Sequence, residues 1–166
     1  MAAELIAAAE AGDLGRVREL VAAGSDVSKA NEDGWSPLIM ASKGGHNDVV
    51  KLLLESKAAP NPDCVAHTAL RAASIYGHTE TLRILLAAGG DPNFVSLHDR
   101  TPLMGAAMGG HAECAKILLE AGADANAKND VGESAADLAN IKGHKGVVEL
   151  LQLASASSDV ASGSRS

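Results

Sequence analysis

Short runs of apolar residues, three and four positions apart, alternate with polar residues along most of the chain. In segment 48–55 the apolar positions are Val49, Val50, Leu53 and Leu54. This spacing predicts an amphipathic helix, and the same pattern predicts helices at 80–87 and 113–121. Helices this short are not stable alone in water, so packing against neighbouring helices must stabilise them.

Four landmarks recur every 32 or 33 residues. A Gly-His pair occurs at residues 45–46, 77–78, 110–111 and 143–144. An apolar pair, such as Leu53-Leu54, follows each of them. Ser or Thr stands before Pro or Ala, as in Ser36-Pro37, where the hydroxyl can cap a helix and Pro suits its first position. A glycine that can end a helix in the left-handed conformation stands at 24, 89 and 122, with Lys57 at the equivalent position. The period predicts stacked pairs of short helices.

These landmarks are most complete in DGWSPLIMASKGGHNDVVKLLLE (33–55) and RTPLMGAAMGGHAECAKILLEAGADANA (100–127). On them, the chain resembles the ankyrin repeat family over about residues 2–153. The resemblance implies an all-α solenoid of stacked helix-turn-helix pairs joined by β-hairpin loops. It implies five units, at about 2–30, 31–62, 63–95, 96–128 and 129–153. Residues 154–166 are rich in Ser and Ala, and we expect a disordered tail there.

Several residues depart from the family pattern. Lys57 replaces a helix-ending glycine, Arg71 and Asp137 stand where the family usually has histidine, and Gly105 lies inside a predicted helix at a cost of up to ~1 kcal/mol relative to Ala. We predict that the junction between units two and three is the weakest, with faster amide exchange than the junction near Gly122.

Composition and charge argue against several classes of partner and location. The chain is 46% hydrophobic and 2% aromatic, with a net charge of −7. The acidic balance argues against nucleic acid and against an anionic membrane as the main partner, and no apolar run approaches the roughly 20 residues of a membrane span. Two cysteines, Cys64 and Cys114, favour a reducing compartment, and the N-terminal segment lacks the features of a secretory signal. We therefore expect a cytoplasmic protein, small enough to enter the nucleus passively.

The candidate chemical motifs favour a protein that is not an enzyme and that holds no metal or cofactor. The four Gly-His histidines occupy one slot in successive units, too far apart to share one zinc, and we expect them to bond backbone at the turn between helices. His111 and Glu113 form the His-x-Glu of zinc deaminases, but no later cysteine could hold the metal.

The resemblance also implies where a partner binds, namely on the concave face formed by hairpin tips and first helices. Carried over to this sequence, the predicted protein-binding residues are Trp35, Lys43, His67, Ile75, Tyr76, Leu97, His98, Arg100, Met108 and Glu133, with Cys64 and Val65 in the same hairpin as His67. We expect a monomer when free, with a protein partner of basic or mixed surface and an apolar anchor.

Three functions fit these observations. The first is a protein-protein interaction module, and the second is an inhibitor or regulatory subunit of an enzyme or transcription factor. The third belongs to another class: Asn93 and Asn126 lie in Asp-x-Asn hairpins, whose asparagine is hydroxylated in some family members, so the chain could be a substrate of an asparaginyl hydroxylase.

Overall fold

A computed structural model describes residues 2–61 and 66–163, and the side chains up to residue 157. Cys64 and Val65 lie outside the described residues. Within that part of the chain there are ten α-helices in five consecutive pairs, and β-structure is limited to isolated bridges such as Ser96 with Arg100. The helices are α1 (Ala2–Ala11), α2 (Leu14–Ala22), α3 (Pro37–Gly44), α4 (Asn47–Glu55), α5 (Ala69–Tyr76), α6 (Thr79–Ala87), α7 (Pro102–Gly109), α8 (Ala112–Glu120), α9 (Ala135–Ile141) and α10 (Lys145–Gly163).

The pairs stack in chain order into two layers. The first helices α1, α3, α5, α7 and α9 pack side by side, and α2, α4, α6, α8 and α10 form the second layer. Every extensive helix–helix contact between the described helices lies within a pair or between adjacent pairs. The core between the layers is aliphatic, with Leu53, Leu70, Leu85, Leu103 and Leu118 fully buried. The predicted all-α solenoid is therefore confirmed.

The helix starts follow from the Ser and Thr residues of the repeat. The hydroxyls of Ser36, Thr68 and Thr101 accept hydrogen bonds from backbone amides three residues later, at 3.2–3.3 Å. At the start of α9, Ser134 and Asp137 form a reciprocal capping box, in which the Asp137 carboxylate accepts from the Ser134 amide at 2.9 Å. Hydrogen bonds from Ser134 lower the pKa of Asp137, so this departure from histidine serves the helix cap.

Each Gly-His histidine joins two units. His78 Nε2 donates to the Lys43 carbonyl at 2.9 Å, and its ring lies against Gly45, where a Cβ would stand 2.6 Å from Nδ1. The same arrangement recurs for the histidines at 46, 111 and 144, which donate to carbonyls 36 residues earlier. The prediction that these histidines bond backbone is confirmed, and the bond crosses from one unit to the preceding first helix.

The outer turns that follow the second helices use a left-handed residue. Gly89 and Gly122 have φ of 91°, and Lys57 adopts φ of 74° at the equivalent position. Asn61 crosses the junction after Lys57: its side chain donates to the Gly89 carbonyl at 3.0 Å and accepts from the Asp91 amide at 2.8 Å. A single side chain thus connects successive outer turns.

The C-terminal segment differs from the expectation of a disordered tail. α10 continues through Gly163, although composition predicts disorder from residue 154. The Ser-rich run also contains Ala and Val and lacks Pro, so nothing in it breaks a helix that α10 has already nucleated before Gly163. Residues 164–166 lie outside the described residues.

Candidate functional site

A small cavity lies between units two and three, on the side of the hairpins and first helices. Its volume is about 100 Å³. Five of the ten predicted binding residues line it, together with Thr68, Arg71 and Ala72; the five are Trp35, Lys43, His67, Ile75 and Tyr76. We call this site the Trp35 cavity. The helical repeat brings these residues together because residues equivalent by position in neighbouring units lie side by side.

One wall of the Trp35 cavity is a stack of rings from two successive hairpins. The rings of Trp35 and His67 are parallel within 11°, with centroids 3.6 Å apart. The Lys43 Nζ lies 5.5 Å from the centroid of the Trp35 ring, within the range of a cation–π contact. At the opposite end Tyr76 closes α5 with 52% of its surface exposed. The wall is thus flat, aromatic and flanked by a positive charge.

Arg71 contributes a second cation, which the sequence analysis did not include among the binding residues. Its Nε is buried and has no hydrogen-bond partner, and the side chain forms no hydrogen bond or ion pair to the described residues. Gly105 of α7 makes room for its stem, since a Cβ there would stand 3.1 Å from the Arg71 carbonyl oxygen and 3.2 Å from Arg71 Cγ. The two departures from the family pattern, at 71 and 105, therefore fit each other.

Burial and nearby charges set the protonation of the site. Burial lowers the pKa of His67, Arg71 lowers it further, and Asp33 partly opposes both. Burial and the charge of Arg100 lower the pKa of Arg71, which nevertheless stays protonated as arginines do. His67 is therefore a neutral ring against Trp35 near pH 7, while Lys43 and Arg71 carry the charge of the cavity.

The other five predicted binding residues lie further along the stack, outside the Trp35 cavity. Leu97 and His98 are exposed in a 3-10 turn at Leu97–Asp99, and His98 Nδ1 lies 2.8 Å from Asp130 Oδ2 in the next hairpin. Arg100 follows that turn and is close enough to act on Arg71 electrostatically. Met108, the residue before the last of α7, is partly buried, and Glu133 accepts a hydrogen bond from the Asn129 side chain at 2.9 Å.

The two asparagines proposed for modification differ in their contacts. Asn93 is engaged on both sides of its amide: Nδ2 donates to the Gly122 carbonyl at 2.9 Å, and Oδ1 accepts from the Asp124 amide at 2.8 Å. Asn126 is exposed, and its side chain makes no hydrogen bond to any residue that the structure describes. The Asn93 side chain is therefore held by the next hairpin, and that of Asn126 is available.

Other candidate chemistry has a structural explanation. Cys114 is a buried free thiol whose pKa is raised by burial, so it is a poor nucleophile. Across the side chains described, in residues 2–61 and 66–157, there is no group of three or more suited to hold a metal ion. A search of residues 2–61 and 66–163 found no helix with the length and apolarity needed to cross a membrane.

Comparisons with known proteins agree with this architecture. Ankyrin repeat and SOCS box protein 3 of Bos taurus is 35% identical over 100 residues, which are 58% of this chain and 19% of that protein. The ankyrin repeat, SAM and basic leucine zipper domain-containing protein 1 of Equus caballus is 34% identical over 99 residues (57% and 21%). The transient receptor potential cation channel subfamily A member 1 of Homo sapiens is 38% identical over 82 residues (48% and 7%). The chain thus matches about a fifth or less of the length of these relatives.

A family model described as ankyrin repeats in three copies matches residues 5–96 and 88–161, which together span nearly all of the sequence. The matched region includes all four Gly-His pairs and the residues of the Trp35 cavity. This chain belongs to the ankyrin repeat family.

Proposed function

We propose that the chain is a non-catalytic interaction module that binds a protein partner on the concave face formed by its hairpins and first helices. Ankyrin repeats generally serve as protein-protein interaction modules. The proposal that this particular face binds the partner is supported by the positions of the large exposed apolar side chains.

Of the six large apolar residues that are exposed among the described side chains, five lie in hairpins or at the ends of first helices. These five are Tyr76, Val95, Leu97, Val131 and Ile141; the sixth, Leu153, lies in α10. A single exposed apolar residue needs no explanation, but several of them in the hairpins and at the ends of the first helices of units three to five favour an interaction surface. Five units stacked at about 8–10 Å give a face roughly 40–50 Å long, which is enough for an interface of ~800 Å² per partner.

Affinity capture with two matched triple variants tests this proposal. W35A/Y76A/M108A removes large side chains from the proposed face, and K51A/E55A/K116A removes three exposed side chains from second helices. We expect the first variant to lose the proteins that the native chain captures from its host lysate and the second to retain them, with equal helicity by circular dichroism. Equal capture of partners by the native chain and both variants would refute the proposal that the partner binds on this face.

Inhibition or regulation of an enzyme or transcription factor remains a form of the same proposal, because it uses the same surface. An activity assay of a captured partner, with and without the chain, separates the two. If the native chain lowers the activity of the partner and the W35A/Y76A/M108A variant does not, this face has a regulatory function.

A second function, as a substrate of an asparaginyl hydroxylase, is favoured at Asn126 by its exposed and unbonded side chain. Modification at Asn93 would first require its two hydrogen bonds to the next hairpin to break. The test is intact-mass and peptide mass spectrometry of the protein from its native host. We expect one added oxygen atom on the peptide that contains Asn126, lost in N126A; an unmodified Asn126 peptide would remove this alternative.

A further inference from the structure

We propose that the Trp35 cavity is a carboxylate-binding subsite, which takes the side chain of an Asp or Glu from an extended segment of the partner, next to an apolar residue. This inference rests on the proposed function and adds the chemistry of the ligand. It departs from the sequence-based expectation of a partner with a basic or mixed surface, since the cavity itself selects a negative group.

The first argument is the charge of the lining. Lys43 and Arg71 are its ionised side chains, and no carboxylate is present among the described residues that line it. Among the described residues, two carboxylates lie nearby: Glu10 is 3.9 Å from Lys43, and Asp33 acts on His67. Because the ion pair to Glu10 is long and solvent-exposed, it holds Lys43 only weakly. In a chain of net charge −7, the cavity is thus a locally positive site.

The second argument is the unused hydrogen-bonding capacity of Arg71. Nε is buried, but the two terminal nitrogens of Arg71 are not, and they form no hydrogen bond to the described residues. The terminal nitrogens of a guanidinium form a planar fork that matches the two oxygens of a carboxylate. The first methylenes of the Arg71 side chain lie close to Gly105, where a Cβ would stand 3.2 Å from Arg71 Cγ. A bound carboxylate would therefore use donors of Arg71 that no described residue uses.

The third argument is size and shape. A cavity of about 100 Å³ has room for a carboxyl group with its methylene. Ile75, Ala72 and the exposed ring of Tyr76 provide an apolar surface beside it, which suits an aliphatic residue adjacent to the acid.

The chain contains a single tryptophan, and it lies in this cavity, so its fluorescence reports on this site. The probes are the capped dipeptides acetyl-Leu-Glu-amide, acetyl-Leu-Gln-amide and acetyl-Leu-phosphoserine-amide. For ligands of this size we expect a Kd on the order of 1 mM for the Glu peptide. The Gln peptide should bind roughly tenfold more weakly, because it lacks the charge-assisted hydrogen bonds. The Nε–Hε signal of Arg71 in nuclear magnetic resonance spectra should shift with the Glu peptide only.

Variants identify the groups responsible. R71Q should weaken binding of the Glu peptide roughly tenfold and K43Q by a smaller factor, while K51Q, a matched change on α4, should leave it unchanged. Because R71Q could disturb packing, R71H provides a second test: it restores the residue type usual in the family and, at about pH 8, is uncharged. R71H should fold as the native chain does and bind as weakly as R71Q.

Equal binding of the Glu and Gln peptides, no saturable response up to about 20 mM, or binding of only the phosphoserine peptide would each overturn the carboxylate subsite. The partner-capture experiment distinguishes this failure from a failure of the proposed function. If the W35A/Y76A/M108A variant loses partners while the peptides fail, the face binds a protein by other contacts.

Discussion

Each of the first four repeat units has one turn between its two helices and another after its second helix, both of which use a left-handed residue, and the two turns differ in what lies beside that residue. In unit three the inner turn, between α5 and α6, has Gly77 with φ of 76°, where a Cβ would stand 2.6 Å from Nδ1 of His111. The outer turn, after α6, has Gly89 with φ of 91° and no atom within 4 Å of where a Cβ would be. The inner glycine is needed for both its φ and its lack of volume, and the outer one for its φ alone.

Lys57 illustrates this difference. It occupies the outer turn of unit two with φ of 74°, and its amide donates to the Leu54 carbonyl at 3.0 Å, as the Gly89 amide does to Leu86. Because solvent lies beside this position, a long side chain costs only the strain of the left-handed backbone. At an inner turn the same side chain would occupy the place of the next unit's histidine. Whether the repeat tolerates a side chain in place of the left-handed glycine therefore depends on which of the two turns that glycine occupies.

The largest effect is expected from a methyl group at an inner turn. Gly77→Ala should destabilise the protein by about 2–3 kcal/mol, because the left-handed alanine costs ~1 kcal/mol and the contact with His111 displaces its hydrogen bond to Ile75. Gly89→Ala is the matched control, with an expected loss of ~1 kcal/mol from the backbone alone. Urea unfolding followed by circular dichroism gives both values. Equal losses would show that the histidine does not distinguish the two turns.

Removal of the histidine tests the same contact from the other side. His111→Ala should cost about 1–2 kcal/mol, since the Ile75 carbonyl loses the donor that lies 3.0 Å away. In the double variant G77A/H111A the methyl group no longer contacts a ring. The double variant should therefore lose ~1 kcal/mol less stability than the sum of the losses in the two single variants. Strict additivity in this cycle would contradict a direct steric contact.

Much of this architecture is readable in the sequence, because each repeating residue has a local function. Ser36-Pro37 and the Gly-His pairs mark helix ends, and the bonding of histidine to backbone follows from its place at a turn. The identity of the carbonyl, in the preceding unit, depends on how units stack, and no single repeat contains that information. The α10 extension was not predicted, since serine content was interpreted as disorder.

For the candidate site, the sequence predicted individual residues but not their arrangement. Trp35 and Tyr76 were expected on the binding face, and they line one cavity. The stack of Trp35 on His67 depends on the relative position of two hairpins, which composition and period do not specify. Arg71 was recognised as a departure from the family pattern but was not included in the predicted binding residues. Its fit to Gly105 becomes visible only when α5 and α7 are side by side.

A smaller effect of opposite sign is expected at the outer turn of unit two. Lys57→Gly should stabilise the protein by about 0.5–1 kcal/mol: relief of left-handed strain, ~1–2 kcal/mol, exceeds the extra entropy of glycine in the unfolded chain. Amide exchange should slow near Ala58 and approach that near Ala123, which follows Gly122. Uniform exchange at the two junctions in the native chain would instead show that Lys57 does not weaken the boundary between units two and three.

The smallest effect concerns pH at that same boundary, which the Trp35–His67 stack crosses. Burial lowers the pKa of His67 below its unfolded value of 6.5, so the unfolded chain binds a proton more readily than the folded one. The stability contributed by neutral His67 is therefore complete above about pH 6.5 and declines as the pH falls toward the folded pKa. His67→Gln does not titrate, so the stability difference between native chain and variant should shrink between about pH 7.5 and pH 5.5. Urea midpoints at both values measure this difference, and a constant or growing difference would contradict the assignment of a neutral, stacked imidazole.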